Sequence, residues 1–391
     1  MGRRPVLSVL VIAAAVPLAL ATMTANASAS GSGVAHRNVH VCGAPSAGKA
    51  ACLAIRHDRL TSMGKVVQNA ATPSGYGPSD IRSAYNLTTS STATVAIVDA
   101  YNDPTAEADL GTYRSQYGLT ACTTANGCFK KVNQTGGTSY PRTNSGWAQE
   151  ISLDLDMVSA ACPSCHILLV EATTNSFANL GAGVNYAATV TGVTAISNSY
   201  GGGDSAESSA YNHPGIAVTA STGDGGYGVE SPASFPHVVA VGGTSLTRSA
   251  STRGFTESAW SGAGSGCSTL NAKPSWQTSA TQCSGKANAD VSAVADPNTG
   301  VAVYDSTANH GVSGWLVFGG TSASSPIIAS VYALSGNTTG YPASYTWTNA
   351  SGLYDVTTGS NGTCPTSVWC HSGTGWDGPT GLGTPNGTSS F

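Results

Sequence analysis

The stretch that says most about the fold is Gly-Gly-Thr-Ser-Ala-Ser-Ser-Pro at residues 319–326. It follows an apolar run at residues 316–318 that is typical of a strand, and it precedes the apolar residues of a predicted helix. Two glycines allow the tight turn that joins such elements. A serine at this junction lies at a helix N-terminus, where backbone N–H groups and the helix dipole stabilise negative charge. Ser322 is therefore a candidate nucleophile, although a helix-capping role accounts for the same pattern.

Apolar runs typical of strands alternate with segments of helical spacing over most of the chain. This alternation predicts an α/β fold with a doubly wound, mostly parallel sheet flanked by helices. In such a sheet, functional sites lie at the carboxyl ends of the strands. The predicted strands are residues 94–98, 166–170, 193–197, 216–219 and 238–241, and the predicted helices are 106–117, 147–158, 177–188 and 322–332.

The composition excludes several classes of protein. The chain has 391 residues, 40% of them hydrophobic and only 9% charged, which argues against disorder. Its net charge of −4 and pI of about 6.0 argue against a dedicated nucleic-acid binder. Because few groups ionise, composition alone predicts that stability depends weakly on pH.

The N-terminus has the pattern of a signal peptide over residues 1–27. Arg3 and Arg4 precede an apolar run at residues 6–20, and Ala-Asn-Ala at residues 25–27 resembles a cleavage site. A membrane anchor is the alternative for this short run. The signal predicts a secreted, extracellular protein with no membrane contact after cleavage, and we expect a monomer. Residues 28–72, rich in Ser, Ala and Gly, are predicted to be a short leader or pro-segment, and residues 73–391 a single domain.

Ten cysteines occur as five close pairs, and an even count in an exported chain predicts disulfides. Pairing of nearest neighbours is the simplest arrangement, although sequence does not fix the connectivity. A metal cluster is the alternative, and Cys-Pro-Ser-Cys-His at residues 162–166 has the spacing of a haem attachment site. The pairs are Cys42 with Cys52, Cys122 with Cys128, Cys162 with Cys165, Cys267 with Cys283 and Cys364 with Cys370.

Two groups of carboxylates could serve a serine nucleophile. Glu150 and Asp154 lie four residues apart on a predicted helix, so they share one face, and like charges there raise the pKa of the pair when buried. Asp224 lies in a glycine-rich turn after the strand at residues 216–219, where a protonated carboxyl could donate to an oxyanion. A solvated helix face and an Asx turn are the alternatives. None of the eight histidines lies in a His-Gly-Thr-His motif, so a carboxylate is a candidate base.

Together and in this order, the three motifs resemble those of the sedolisin or serine-carboxyl peptidase family, the acid-active relatives of subtilisin. That family has a Glu-x-x-x-Asp helix, a Gly-Asp-x-Gly turn and a Ser-Gly-Thr-Ser-x-x-x-Pro motif. This chain has all three, with Gly319 in place of the first serine. The resemblance covers about residues 75–385 and implies a subtilisin-like fold in one catalytic domain.

The resemblance also implies an activity and residue roles. It implies a secreted serine-type endopeptidase that hydrolyses protein or peptide substrates through an acyl-enzyme at acid pH. Ser322 would be the nucleophile and Glu150 the base. Asp154 would hold and tune Glu150, and Asp224 would complete the oxyanion hole.

A metal site near the C-terminus is implied by the same resemblance. Family members carry one Ca²⁺ there, and hard oxygen ligands on a flexible loop suit this ion. Taken without the family, two aspartates in a glycine-rich loop are equally ordinary turn residues. The expected ligands are the side chains of Asp355 and Asp377 and the carbonyl groups of Val356, Gly373 and Gly375.

Two alternative functions stay open at the level of sequence. One is a subtilisin-type Ser-His-Asp hydrolase, with Asp99 at the end of the first strand and a histidine such as His166 as base. We expect a structural role for Asp99 instead. The other is an inactive, secreted binding module on a peptidase scaffold.

Overall fold

A computed structural model describes residues 1–2, 35–67 and 72–391, so the predicted signal peptide lies almost entirely outside the described residues. Residues 35–391 form one unit. Its α-helices are α1 (Pro78–Ala84), α2 (Ala106–Gln116), α3 (Ser145–Ala161), α4 (Phe177–Thr189), α5 (Thr321–Ser335) and α6 (Tyr345–Thr348).

Strands make up the rest of the regular structure, and many of them are short. In chain order they are β1 (His36–His40), β2 (Ala51–Cys52), β3 (Ile55–Arg59), β4 (Thr94–Ala100), β5 (Phe129–Asn133), β6 (His166–Ala172), β7 (Val193–Asn198), β8 (Tyr200–Gly203), β9 (Ala217–Ser221), β10 (Glu230–Ser231), β11 (Val239–Arg248), β12 (Phe255–Ala259), β13 (Gly266–Ala272), β14 (Gly285–Asn288), β15 (Val291–Val294), β16 (Val301–Asn309), β17 (Val312–Gly319), β18 (Leu353–Tyr354) and β19 (Thr384–Pro385).

The central sheet has eight strands in the order β12-β11-β9-β7-β4-β6-β5, with β15 also paired to β11. Only β12 is antiparallel to its neighbour, and every other pairing in this sheet is parallel. The predicted doubly wound, mostly parallel sheet is confirmed.

Helices cover both faces of the sheet, as the alternation of side chains along β4 shows. Val95 and Ile97 pack into the core that contains α3 and α5, whereas Ala96 and Val98 pack into the core that contains α4. Each predicted helix is present, with ends that differ by at most three residues. Both cores are apolar and fully buried.

Helix α3 is buried on every side, because it lies between the sheet, α5 and strand β16. Its N-terminus is capped by Asn144, whose side chain accepts hydrogen bonds from the N–H groups of Gly146 and Trp147. A helix in this position is expected to be apolar all round. Instead, Glu150, Asp154 and other polar side chains of α3 are buried in the interior.

The described part of the predicted leader is built into the fold. Strands β1 and β3 form a second sheet in the order β1-β3-β17-β16, and β2 pairs with β8. The weak periodicity of residues 28–72 did not predict these strands. They bring residues 51–54 next to Ser199, Glu150 and Gly320, near the carboxyl end of the central sheet.

All five cysteine pairs form disulfides between nearest neighbours, which confirms the simplest prediction. Cys162 and Cys165 bond to each other, so the haem interpretation of this motif is wrong. None of the described helices is long and apolar enough to cross a membrane.

Candidate active site

Helices α3 and α5 bring the predicted nucleophile and the two predicted helix carboxylates together. Ser322, at the start of α5, is fully buried, and its Oγ donates to the carbonyl of Ser199 at 3.2 Å. The Ser322 hydroxyl also lies near the Glu150 carboxyl and favours its ionised form, while Glu150 Oε1 has no hydrogen-bond partner among the described residues. One turn further along α3, the Oδ1 atom of Asp154 accepts from the Ser199 hydroxyl at 2.8 Å. Ser199 therefore connects the serine to the second carboxyl.

Local sequence explains why Ser322 stands at this point. Gly320 has φ of +92°, a conformation that favours glycine, and it turns the chain from β17 into α5. A Cβ at Gly319 would collide with the backbone of residues 295–297, so a serine does not fit there. Pro326 lacks the N–H that would bond the Ser322 carbonyl in a regular helix. The Ser199 hydroxyl lies 3.3 Å from that free carbonyl.

Three carboxyl groups form a buried cluster near Ser322: Asp99, Glu150 and Asp154. Burial raises the pKa of each well above its ordinary value. The charge of Asp99 raises the pKa of Glu150 and Asp154 further, and Glu150 adds to the effect on Asp154. Because like charges at this range oppose one another, the three carboxyls titrate as a set and retain protons at a pH where exposed carboxyls are ionised.

Asp224 lies on the other side of Ser322. Its Oδ1 accepts two hydrogen bonds from Thr321, from the N–H at 2.7 Å and from the hydroxyl at 2.9 Å. The residue is half-buried, but its Oδ2 is shielded from solvent and has no partner among the described residues. Burial raises the pKa of Asp224 to about 8. Since Oδ1 only accepts, the proton of the neutral acid belongs on Oδ2.

The groups needed to bind an oxyanion stand next to Ser322. Asp224 Oδ2 lies 2.7 Å from the point that a Cβ on Gly320 would occupy, so it faces the open side of that glycine. The Ser322 N–H, at the helix N-terminus, donates to no other group in the described parts of the chain. A protonated Asp224 and this N–H are two donors for one oxygen.

The structure separates Asp99 from His166, the pair named for the alternative triad. His166 begins β6 opposite Thr94, whereas Asp99 pairs with Glu171 near the other end of the same two strands. Five residues of strand separate the two side chains by about 17 Å. None of the chain's histidines, all of which are described, hydrogen-bonds to Ser322. A Ser-His-Asp triad built from Asp99 and His166 is therefore wrong.

Sequence reasoning missed two residues of the site. Ser199 connects Ser322 to Asp154, and Thr321 holds Asp224. Ser199 follows a predicted strand and precedes Tyr-Gly-Gly-Gly at residues 200–203, and a serine before glycines at a strand end is a usable signal. The third carboxyl, Asp99, was placed at the correct strand end but was not grouped with the α3 pair.

The five predicted calcium ligands lie in the C-terminal loops. The N–H of Gly375 donates to Asp355 Oδ2 at 2.9 Å, and the N–H of Gly373 donates to Asp377 Oδ2 at 3.3 Å. Among the described residues, the carbonyl groups of Val356, Gly373 and Gly375 accept no hydrogen bond. Two carboxylates and three carbonyl groups without partners lie in the same loops, and hard oxygen ligands of this type are those that Ca²⁺ prefers. Asp377 is buried, which raises its pKa to about 7 and favours a bound cation there.

A second group of carboxylates was not predicted. Asp103, Asp109 and Asp305 are all buried, and their nearest oxygens lie within 4.8 Å of one another. Thr105 donates from its hydroxyl to Asp109 at 2.6 Å and lies 3.0 Å from Asp103. Burial raises the pKa of Asp103 to about 6 and that of Asp305 to about 8. With the cluster at Ser322, the molecule therefore holds an unusual number of buried acids.

Comparison with known proteins places this geometry in a family. Residues 142–368, more than half of the chain, match the family model of the subtilases. The chain belongs to the subtilase family. Among curated subtilase-like relatives, it is 29% identical to kumamolisin from Bacillus sp. (strain MN-32) over 366 residues, which cover 81% of this chain and 63% of kumamolisin. It is 33% identical to sedolisin from Pseudomonas sp. (strain 101) over 177 residues, covering 40% of this chain and 29% of sedolisin.

A solved structure supports the same fold. Pseudomonas sedolisin, a serine-carboxyl proteinase complexed with two molecules of pseudo-iodotyrostatin, superposes with a TM-score of 0.66 at 24% identity. The match covers 81% of this subtilase and 96% of that chain. The predicted resemblance to the sedolisin family, and with it the subtilisin-like fold, is confirmed. The chain spans less than two thirds of the length of the curated relatives it matches.

Proposed function

We propose that the protein is a serine-carboxyl endopeptidase that hydrolyses peptide bonds through an acyl-enzyme on Ser322. The observation that carries the proposal is that the Ser322 hydroxyl lies near the buried carboxyl of Glu150 and is connected through Ser199 to that of Asp154, and that no histidine hydrogen-bonds to it. A serine needs a base to become a nucleophile, and Glu150 is the group in position. The sedolisin-family relatives support the same class of reaction.

Each step of acyl transfer has a residue in place. Glu150 takes the proton of Ser322 Oγ as that oxygen attacks the substrate carbonyl, and it then passes the proton to the leaving amine. Asp154, held by Ser199, stands one turn away and sets the charge around Glu150. The negative oxygen of the tetrahedral intermediate is stabilised by the Ser322 N–H and the protonated Asp224. Water then hydrolyses the ester by the same route.

The electrostatics set a window of pH. Asp224 donates a hydrogen bond only when it is protonated. Its pKa of about 8 therefore places the upper pH limit of the proposed reaction near pH 8. The cluster of Asp99, Glu150 and Asp154 must lose at least one proton before Glu150 can accept one. The ionisation of this cluster sets the lower pH limit of the proposed reaction. These two requirements define a window whose upper limit lies near pH 8, and we propose an acid optimum within it.

We also propose that one Ca²⁺ binds in the C-terminal loops. Asp355 and Asp377 would hold it with their carboxylates, and Val356, Gly373 and Gly375 with their carbonyl groups. The ion would neutralise the buried carboxylate of Asp377 and fix the loop at residues 373–377. It supplies stability and takes no part in the chemistry, because these residues share no contact with Ser322.

The natural setting that we propose is extracellular. The predicted signal at residues 1–27 and five disulfides both fit an oxidising compartment. The substrates would be proteins or peptides, as the names of the peptidase relatives suggest.

The test is digestion of a denatured protein at several pH values by wild type and by Ser322→Ala. The matched control is Ser330→Ala, because Ser330 lies on the same helix with its hydroxyl bonded to the Pro326 carbonyl. We expect wild type and the control to digest the substrate in acid and Ser322→Ala to be inactive. Equal digestion by Ser322→Ala would refute the proposal, and inactivity of all three would favour a binding module.

A further inference from the structure

Strands β1 and β3 carry histidines on one exposed face. The two strands pair antiparallel, with Asn38 of β1 opposite His57 of β3. Because side chains alternate along a strand, His36, Asn38 and His40 lie on one face of β1, and residues directly opposite each other share a face. His57 therefore lies on that face too. His36 and His40 are exposed and His57 is partly exposed, so imidazoles, the commonest metal ligands in proteins, meet solvent here.

The rings of His36 and His57 are in contact. They stack with centroids 4.5 Å apart and planes inclined by 14°. An imidazole nitrogen binds Zn²⁺ at about 2.0–2.1 Å, so two nitrogens on one ion lie at most about 4 Å from each other. Rings at this separation need only a small change in side-chain torsion to share an ion, and the exposed His36 has room for it. In the described part of the chain, His40 makes no hydrogen bond or ring contact with either of them.

A chain of hydrogen bonds determines which nitrogen of His57 carries the hydrogen. It begins at the Asp296 carboxylate, whose Oδ1 accepts from Nδ2 of Asn298 at 2.8 Å. Because a carboxylate only accepts, the Asn298 amide oxygen faces the other way and accepts from Nδ2 of Asn38 at 3.5 Å. The Asn38 amide oxygen then lies 2.7 Å from Nδ1 of His57. Since an amide oxygen only accepts, Nδ1 donates, and Nε2 keeps its lone pair.

This arrangement is the one in which a histidine binds a metal. A metal-ligating histidine usually donates its second ring N–H to a carboxylate or carbonyl oxygen, which fixes the ring and raises the basicity of the ligand nitrogen. The Asn38 amide has that position beside His57. Among the described residues, no group hydrogen-bonds to Nε2 of His57 or to either ring nitrogen of His36. The ligand nitrogens are therefore available.

The surroundings of His57 favour its neutral form. Burial and the neighbouring His36 lower the pKa of His57, and Asp296 and Asp58 raise it by less. Arg59 lies opposite His36 across the strand pair and adds positive charge to the same face. Because histidine binds a metal only when it is neutral, protons compete with the ion in acid. Such a site is occupied near neutral pH and empties well below the ordinary histidine pKa of about 6.5.

We propose that His36 and His57 bind one divalent transition-metal ion of the class of Zn²⁺, through Nε2 of His57 and a ring nitrogen of His36. Asn38 orients His57, and water completes the coordination. Nitrogen ligands suit such ions, whereas the carboxylates and carbonyl groups of the C-terminal loops suit Ca²⁺. The ion joins β1 to β3 through their side chains. Its binding is independent of the proposed peptidase function.

The experiment is calorimetric titration of Zn²⁺ into the purified full chain, with Ca²⁺ present throughout to occupy sites of hard oxygen ligands. At about pH 7.5 we expect one Zn²⁺ per chain at this site. At about pH 5 the affinity should be lower by about 100-fold or more, because both histidines must lose a proton to bind the ion. Absence of binding at the higher pH, or an affinity that is equal at the two pH values, would overturn the inference.

Four variants locate the ion. Asn38→Ala removes the group that orients His57 and should lower the affinity for Zn²⁺ by about 10- to 100-fold. His36→Ala and His57→Ala each remove a ligand and should lower it by about tenfold or more. His40→Ala is the matched control, because His40 lies on the same face of β1 and contacts neither ring, and its affinity should equal that of wild type.

The variants also give the results that would contradict the assignment. An unchanged affinity in both His36→Ala and His57→Ala would show that Zn²⁺ binds elsewhere and would overturn the inference. A loss in His40→Ala as large as that in His36→Ala would overturn the choice of these two ligands. The melting temperature of each variant without Zn²⁺ shows whether the fold is retained, and we expect it to match wild type because the substituted side chains lie on an exposed face.

Discussion

Replacement of Asp224 separates its role as a hydrogen-bond donor from its role as a titrating acid. In Asp224→Asn, the amide oxygen can take the place of Oδ1 and accept the two bonds from Thr321. The amide NH₂ then stands where Oδ2 faces Gly320. This variant keeps a donor toward the oxyanion, but the donor no longer depends on a proton with a pKa of about 8.

The magnitude follows from the loss of one donor. Removing a single oxyanion donor costs about 100- to 1000-fold in rate, or roughly 3–4 kcal/mol. We therefore expect Asp224→Ala to lose that factor at every pH. Asp224→Asn should stay within about tenfold of wild type in acid, because it loses less than the full donor. Above pH 8 it should lose less activity than wild type does.

The assay is the pH dependence of kcat/KM for an added peptide. Asp296→Asn is the matched control, since Asp296 is a helix-capping aspartate that makes no contact with Ser322. Equal losses in the Asn and Ala variants at acid pH would refute the reasoning. So would an alkaline limb that is identical in wild type and Asp224→Asn.

Three further predictions concern the base, the buried acids and the metal. Glu150→Gln should lower kcat/KM by about 100-fold or more, because it removes the proposed base. Asp156→Asn, on another face of α3, should not lower kcat/KM. Steady-state kinetics of the two variants test this difference. The raised pKa values of Asp103, Glu171 and Asp305 mean that the folded chain binds protons more tightly than the unfolded chain. The free energy of unfolding should therefore be greatest near pH 4 and fall as pH rises through about 6 to 8. Urea unfolding at equal ionic strength measures this, and a urea midpoint that rises with pH over this range would contradict it. Ca²⁺ at about 100 times its Kd should raise the melting temperature by about 3–4 °C, and an unchanged melting temperature in calorimetry would count against the site.

The sequence predicted those parts of the molecule that local spacing determines. Residues 150 and 154 lie one helical turn apart wherever the helix packs, and the glycines before Ser322 dictate a turn before α5. The alternation of strand and helix then placed Asp224 at the same sheet edge, because the carboxyl ends of parallel strands meet there. Pairing of neighbouring cysteines was also predictable, since short loops close readily.

Long-range pairing explains what was missed. Strand β2 has only two residues and exists because it pairs with β8, which is far away in the chain. Asp103 and Asp305 meet only through the packing of the folded chain. Composition led to the expectation that stability depends weakly on pH, and the pKa shifts contradict it. A count of charged groups says nothing about where they are buried, and burial controls the proton balance.

The central claim is that Ser322 is acylated with Glu150 as its base. It is tested most directly by quenching the enzyme during turnover of a peptide ester at about pH 5 and locating the acyl group by mass spectrometry. We expect an adduct on Ser322 in wild type and no adduct in Ser322→Ala or Glu150→Gln. An adduct that forms at the wild-type rate in Glu150→Gln, or that lies on another residue, would contradict the claim.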